Sequence, residues 1–152
     1  MMNVIKINSP LGDIFIGAKS GLISFLSFEK HEPTQTCDVL KLASKQLSEY
    51  FHGSSTEFDL PLEKEGTSFQ VEAWQALQKI PYGETASYKD QALMMGDIKK
   101  ARAVGSANGK NPLPIIIPCH RVIRSDGELG GYSCGIEKKV FLLELESRVS
   151  GK

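Results

Sequence analysis

Residues 115–122 read IIIPCHRV, and this stretch sets the organisation of the second half of the chain. Three β-branched residues in a row predict a buried strand at 115–117, which Pro118 ends. Cys119 and His120 follow at the strand end, where a rigidly held thiol is placed for nucleophilic chemistry. The alternative is a small buried cysteine that fills core space. The polar pair His120–Arg121 argues against that alternative, because two consecutive polar side chains do not suit a core.

Two short helices are predicted upstream of this stretch. Residues 87–95 and 101–108 have helical patterns, and a turn containing Gly96 joins them. Such a pair is typical of a helix-turn-helix, although many helical hairpins bind nothing. Seven basic and two acidic residues lie between Tyr88 and Arg124. A DNA-facing surface needs such a positive excess, and a solvated lysine-rich face has the same composition.

The segment downstream of the motif predicts a hairpin and a final helix. Residues 125–128 read SDGE, a turn signal because Asp-Gly tolerates positive φ, and the hairpin around it would form a wing. Gly135 introduces the last helix. Its predicted inward face consists of Ile136, Val140, Phe141 and Leu143.

The first half of the chain predicts a small domain with strands first and a helix after them. Strands are expected at Val4–Asn8, Asp13–Ala18 and Gly21–Phe28, and an amphipathic helix at Thr36–Phe51. Residues 53–66 have the composition of a linker. The fold class is therefore α+β.

A further helix is expected to begin at Thr67, where Thr67 and Gln70 fit a capping box. Trp74 lies on the apolar stripe of this helix and is expected to anchor the core. We predict two domains, a supporting domain at residues 1–62 and a helical, winged helix-turn-helix-like domain at residues 63–152.

Composition excludes several classes of protein. The chain has 152 residues, a formal net charge of zero and 41% hydrophobic residues, which is ordinary for a folded domain. No apolar run is long enough to span a membrane, and no signal pattern opens the sequence. Cys37, Cys119 and Cys134 are an odd number without metal-ligand spacing. We therefore expect a reducing intracellular compartment, no disulfide, no metal and no cofactor.

Five motifs resemble the O6-alkylguanine-DNA alkyltransferases, also called methylated-DNA–protein-cysteine methyltransferases. The resemblance covers roughly residues 69–146 and implies a suicide enzyme for direct-reversal DNA repair. Such an enzyme irreversibly transfers the alkyl group of O6-alkylguanine, and also of O4-alkylthymine, from double-stranded DNA to its own cysteine. It acts once, as a monomer, in the cytoplasm or in a eukaryotic nucleus. The motifs are Pro118–Val122, Ala101–Gly105, Asn111–Pro112, Gly131–Ser133 and Leu142–Glu146.

The resemblance also implies a role for individual residues. Cys119 is the acceptor, and a Cys–water–His–Glu relay through His120 and Glu146 activates it. Tyr88 assists departure of the guanine by donating to N3, and Asn111 fixes the turn before the active-site strand by hydrogen bonds.

The resemblance implies minor-groove DNA binding with the base flipped out of the duplex into a pocket. Arg102 is implied to intercalate where the base leaves the stack. The implied DNA contacts are Arg102, Ala101, Ala103, Gly105, Ser106 and Arg121. The implied substrate pocket comprises Pro114, Val122, Tyr132, Ser133 and Cys134, with backbone carbonyls near Cys119 and Val122 accepting from the guanine amino group.

The chain departs from the family pattern at two places. Cys134 occupies a position that is usually glycine, which adds bulk and a second thiol near the pocket. Val140–Phe141 replaces the usual Glu-Trp, a change in packing.

Two other functions fit parts of the sequence. The alkyltransferase-like proteins bind alkylated DNA without catalysis, but they carry another residue in place of the cysteine. A Cys–His hydrolase or acyltransferase would need an oxyanion hole and would leave the basic helix pair without a role.

Overall fold

The computed structural model describes residues 2–152, which divide into two compact units with a boundary between Glu65 and Gly66. Strands open the first unit and helices dominate the second. The predicted α+β class, with strands first, is confirmed.

The first unit is a three-stranded antiparallel sheet followed by a helix. The strands are β1 (Asn3–Ser9), β2 (Gly12–Lys19) and β3 (Leu22–Ser27), in the order β1-β2-β3. All three predicted strands are present. Helix α1 (Asp38–Phe51) begins two residues later than predicted. Its buried face consists of Leu40, Ala43, Leu47 and Tyr50.

Glycine is required at one position of this sheet. The register of β2 and β3 shifts between Gly17 and Ala18. A Cβ atom on Gly17 would lie only 2.1 Å from the Phe25 ring, so the absence of a side chain lets that ring cross the strand.

Part of the segment predicted to be a linker belongs to the first unit. Ile23 donates to the carbonyl of Pro61 at 2.8 Å, and Glu63 donates to the carbonyl of Ile23 at 2.8 Å. Leu62 thereby forms an isolated parallel bridge with Ile23 of β3. These bonds use edge groups of the strand that local composition does not reveal.

Three helices form the core of the second unit: α2 (Ser68–Leu77), α3 (Tyr88–Met94) and α4 (Ala101–Gly109). The capping box of Thr67 and Gln70 is confirmed, with bonds of 3.1 and 2.9 Å. Trp74 is buried, as predicted, and its Nε1 donates to the carbonyl of Ala107 at 2.9 Å. This bond ties α2 to α4.

The helix-turn-helix pair is α3 and α4, joined through a 3₁₀ turn at Ile98–Lys100. Gln91 of α3 and Asn108 of α4 exchange two buried side-chain hydrogen bonds, at 2.9 and 2.8 Å. Gln91 also donates to the carbonyl of Ala73 at 3.0 Å. This amide pair therefore fixes the spacing of all three helices.

The prediction of a strand at 115–117 is wrong. Ile115 has φ of +75°, and Ile117 donates to the carbonyl of Leu113 at 2.8 Å, so the isoleucines form a buried tight turn. A run of apolar residues predicts that a segment is buried, but it does not show whether the buried segment is a strand or a turn. The strand actually present is β5 (Val122–Ile123), which pairs in parallel with β4 (Ala86–Ser87).

The hairpin predicted around residues 125–128 is a turn without paired strands. Arg124 donates to the carbonyl of Glu128 at 2.9 Å, and Gly127 donates to the carbonyl of Arg124 at 3.0 Å. Beyond the turn, the carbonyls of Leu129 and Gly131 accept from the ammonium group of Lys139. The ammonium thus donates to carbonyl groups that a neighbouring strand would pair with in a hairpin.

The inward face predicted for the last helix, α5 (Ile136–Ser150), is also wrong. Ile136 is 43% exposed, and the fully buried positions include two charged residues. Charged side chains occupy the inward stripe because each finds partners in the core, which a hydrophobicity pattern cannot anticipate. The buried residues are Lys139, Leu142, Leu145 and Glu146.

Candidate active site

Cys119 opens a 3₁₀ turn, Cys119–Arg121, that leads into β5. Its thiol is buried at the base of a pocket of about 230 Å³. The wall of this pocket combines one face of α4, the first residue of α3 and the loop before α5. The lining residues are Tyr88, Gly105, Asn108, Gly109, Cys119, Gly131, Tyr132 and Ser133.

Asn111 holds the turn that precedes Cys119. Its Nδ2 donates to the carbonyl of Ile117 at 2.8 Å, and its Oδ1 accepts from the backbone N–H of Leu113 at 2.9 Å. Ile115 lies between these contacts with a positive φ, which is costly for a β-branched residue. The side chain of Asn111 therefore supplies the bonds that keep a strained backbone in place behind the thiol.

A buried carboxylate organises the residues that follow Cys119. Glu146 is 1% exposed, and its Oε2 lies 2.6 Å from Nε2 of His120. Its Oε1 accepts from Nε of Arg121 at 2.8 Å and from the backbone N–H of Gly83 at 3.2 Å. Gly83 has φ of +80°, and a Cβ atom there would lie 2.4 Å from Oγ of Ser150, so the turn can approach α5 only as glycine.

The structure corrects one expectation about Arg121. It is buried together with His120, so consecutive polar side chains do occupy this core. Its Nη1 donates to the carbonyl of Ile80 at 2.7 Å, its Nη2 donates to Glu146 at 3.1 Å, and its guanidinium lies over the Tyr82 ring. Three of its N–H groups are engaged inside the fold and the residue is 7% exposed, so little of Arg121 reaches the surface. Its role as a DNA contact stays a prediction.

The protonation states follow from these contacts. Burial alone would raise the pKa of Glu146, but the hydrogen bonds and charges of His120 and Arg121 lower it to about 2. Burial lowers the pKa of His120, against the opposing effect of Glu146. Because a carboxylate only accepts, neutral His120 carries its proton on Nε2. Its Nδ1 is buried without a hydrogen-bond partner and holds a basic lone pair.

The thiol itself is protonated at neutral pH. Burial raises the pKa of Cys119 to about 11, although hydrogen bonding by Asn111 and Tyr132 and the charge of Lys139 oppose the rise. The thiolate is the nucleophilic form, so reaction requires a base that removes the proton.

Lys139 is a site residue that the sequence did not reveal. Its buried ammonium donates to the carbonyls of Val122, Leu129 and Gly131 at 2.7, 2.6 and 3.1 Å. Lys139 thereby anchors to α5 the loop that forms the rim of the pocket. Burial lowers the pKa of Lys139, and the nearby Cys119 opposes that shift. The only available signal was a lysine at the position where the helical stripe should be apolar.

The structure places the predicted pocket residues unevenly. Tyr132 and Ser133 line the cavity, whereas Pro114, Val122 and Cys134 are not among its lining residues. The carbonyl of Val122 accepts from Lys139 and that of Cys119 accepts from the N–H of Val122, so both already have partners. Tyr88 borders the cavity; burial and then the charge of Cys119 raise its pKa, which keeps it a proton donor.

The face of α4 that was expected to contact DNA is accessible. Arg102, Ala103 and Ser106 are exposed, and Ala101 and Gly105 are half-buried. Within residues 2–152, no cluster of three potential metal ligands occurs and no helix has the length and apolar character to cross a membrane. The three cysteines are free thiols.

Two family models match the chain. Residues 68–148 match the 6-O-methylguanine DNA methyltransferase, DNA binding domain. Residues 2–64 match the 6-O-methylguanine DNA methyltransferase, ribonuclease-like domain. Among curated proteins, the methylated-DNA–protein-cysteine methyltransferase of Methanosarcina barkeri is 46% identical over 148 residues, covering 92% of this chain and 94% of the relative. The constitutive enzyme of the same name from Bacillus subtilis is 44% identical over 159 residues, covering 95% of this chain and 94% of the relative.

Solved structures agree with this result. The crystal structure of Mycobacterium tuberculosis O6-methylguanine methyltransferase superposes with a TM-score of 0.89 at 42% identity, covering 97% of this chain and 94% of that one. The Mycobacterium tuberculosis protein in complex with DNA superposes with a TM-score of 0.86 at 42% identity, covering 97% of this chain and 93% of that one.

Asn111→Ala should destabilise the protein by about 2 to 4 kcal/mol, because a buried donor and a buried acceptor lose their partner. Urea unfolding followed by circular dichroism measures this loss. Asn8→Ala, at an exposed position of β1, serves as the control and should have little effect. Equal, small changes in both variants would show that the turn does not need the side chain of Asn111.

The lowered pKa of Glu146 predicts acid-sensitive stability. A carboxyl group in the unfolded chain titrates near pKa of about 4.3, so the stabilisation is complete above that pH and is lost as the pH falls towards 2. The expected loss over this window is on the order of 3 kcal/mol.

Urea unfolding at a series of pH values tests this dependence. Glu146→Gln should lose about 3 to 5 kcal/mol at pH 7, because Arg121 stays buried without its counter-ion, and should flatten the acid limb of the curve. Glu144→Gln, an exposed carboxylate on α5, is the control and should leave the curve unchanged. A loss of stability between pH 4.3 and 2 that is as steep in Glu146→Gln as in the unmodified chain would contradict the assignment.

Proposed function

Because the chain belongs to the 6-O-methylguanine DNA methyltransferase family, whose curated members are named methylated-DNA–protein-cysteine methyltransferases, we propose that Cys119 is the residue that accepts the alkyl group. The chain is a direct-reversal DNA repair enzyme, and DNA is its partner. The alkylated base is proposed to be O6-alkylguanine, and the protein is proposed to act as a monomer.

One observation carries the assignment of Cys119. Its thiol lies in a pocket next to His120, an imidazole whose Nε2 is engaged by Glu146 while the basic Nδ1 has no hydrogen-bond partner. A protonated thiol with pKa of about 11 needs such a base. A water that bridges Sγ of Cys119 and Nδ1 of His120 is proposed to complete the relay.

The proposed reaction is a displacement at the alkyl carbon. Cys119 Sγ attacks this carbon as His120 takes up the thiol proton, so that an S–C bond forms and the C–O6 bond breaks. The electron pair of the broken bond passes to guanine, and Tyr88 offsets it by donating a proton towards N3. His120 then releases its proton to solvent and Tyr88 regains one from solvent, so that overall the thiol proton replaces the alkyl group on guanine. A thioether is stable to water, so each molecule reacts once.

The base must leave the duplex before this reaction. Rotating it out of the stack costs a few kcal/mol, and the gap it leaves must be stabilised. Arg102 is proposed to fill the gap, because it is exposed on the same helix whose residues Gly105 and Asn108 line the pocket. The small side chains around Arg102 allow the helix backbone to lie close to DNA.

The competing functions have less support. A non-catalytic lesion-binding protein does not need Cys119 or the buried imidazole and carboxylate behind it. A hydrolase would leave the accessible face of α4 without a role. Measuring the mass of the protein after incubation with alkylated DNA separates the repair enzyme from both alternatives, because only the repair enzyme gains mass.

Cys119→Ser should abolish alkyl transfer while keeping the fold and the affinity for duplex DNA. The measurement is intact-protein mass after incubation with a duplex containing O6-methylguanine, where the unmodified chain should gain one methyl group per molecule. Cys134→Ser and Cys37→Ser serve as matched controls and should still be alkylated. A methyl group found on Cys37 or Cys134 would show that the acceptor is misassigned.

The pH dependence of transfer should report His120. Because its pKa lies below 6.5, the neutral base is present from pH 6.5 upward and the single-turnover rate should be level there. At lower pH, below the lowered pKa of His120, the rate should fall because the protonated imidazole can no longer accept the thiol proton. A rate that instead climbs about tenfold per pH unit from 6.5 to 8.5 would indicate a free thiolate that reacts without the relay.

A further inference from the structure

A basic groove opens beside the thiol pocket. It has a volume of about 490 Å³ and lies between α3, α4 and the turn at residues 124–128. Tyr88 and Gly105 line both cavities, so the groove and the pocket are neighbours. The groove is lined by Tyr88, Lys89, Ala101, Arg102, Gly105, Arg124, Ser125 and Asp126.

Charge and position together indicate what the groove binds. Lys89, Arg102 and Arg124 contribute three positive charges, against a single carboxylate, Asp126. A base seated in the thiol pocket stays covalently attached to its sugar and phosphates, which must therefore lie at the pocket mouth. The adjoining groove carries the charge that a polyanion requires.

One of these cations is already paired. Nη2 of Arg124 lies 3.0 Å from Oδ2 of Asp126, and the two side chains are 60% and 52% exposed. A pair so exposed contributes little to stability, so it can exchange readily. A guanidinium binds carboxylate and phosphate with the same forked geometry.

Resting on the proposed function, we propose that Arg124 binds a backbone phosphate of the strand that carries the alkylated base, and that Asp126 competes with this phosphate for the guanidinium. In the DNA-free protein the carboxylate of Asp126 occupies the guanidinium site that the phosphate would bind. The exchange lowers the affinity for every duplex, alkylated or not, and therefore shortens the time spent on undamaged DNA.

The turn allows the charge of Asp126 to be removed without removing its local structural role. Oδ1 of Asp126 accepts from the backbone N–H of Glu128 at 3.0 Å, while Oδ2 binds Arg124. Asparagine retains an oxygen that can accept the first of these bonds. Asp126→Asn therefore keeps the turn and frees Arg124.

The test is a double-mutant cycle on binding of undamaged duplex DNA, measured by fluorescence anisotropy at several salt concentrations. Arg124→Gln should weaken binding about fivefold near 0.1 M salt and make the slope of log K against log salt shallower by about 0.9. Asp126→Asn should tighten binding about threefold. In the Arg124→Gln background, Asp126→Asn should have almost no effect, because the carboxylate acts through the guanidinium.

Controls separate this proposal from the assignment of Cys119. Arg148→Gln, at an exposed arginine in the last turn of α5 outside the groove, should leave binding unchanged. All variants should react with free O6-benzylguanine within about twofold of the unmodified chain, because a free base does not use the groove. Failure of the unmodified chain to gain a methyl group from duplex O6-methylguanine would overturn the proposed function, whereas the binding cycle is read without any transfer.

Three results would overturn the inference. The first is unchanged binding by Arg124→Gln. The second is an equal gain from Asp126→Asn with and without Arg124, which would mean general repulsion of DNA and no competition. The third is a parallel loss of reaction with the free base, which would place Arg124 in the pocket.

Discussion

The buried carboxylate of Glu146 is the interaction on which the site depends. It receives bonds from His120, Arg121 and the backbone N–H of Gly83, so one side chain of α5 joins the 3₁₀ turn and the turn before β4. A carboxylate buried without these partners would be prohibitively costly. The same bonds fix the tautomer of His120 and aim a basic nitrogen away from the carboxylate. Stability and chemistry therefore share one hydrogen-bond network.

Polar side chains also replace regular backbone pairing around the thiol. Asn111 bonds to two backbone groups of the turn at 113–117. The ammonium of Lys139 bonds to one carbonyl of β5 and to two carbonyls of the loop that follows it. Both regions would otherwise contain buried backbone groups without partners. This arrangement fixes the irregular backbone on either side of the thiol by side-chain hydrogen bonds, and a reacting group needs such support.

Local signals predicted most of the fold. The three strands, helix α1, the capping box at Thr67 and the α3–α4 pair depend on alternation, helical spacing and capping residues that act within a few positions. The errors share a different cause. The isoleucine turn, the face of α5 and the burial of Arg121 all depend on side-chain partners distant in the chain. Burial of charge, in particular, contradicts any pattern based on hydrophobicity alone.

The sequence by itself determined the α+β class, the helix-turn-helix pair and the motif that places a thiol before an imidazole. Only the tertiary structure decided which partners the imidazole beside that thiol has and which charges face outward. His120 meets Glu146 across 26 residues, and Arg121 meets the carbonyl of Ile80 across 41. Such contacts arise when packed elements bring buried donors and acceptors together, and each must find a partner because water is absent. The local sequence around each residue does not predict which distant partner it will contact.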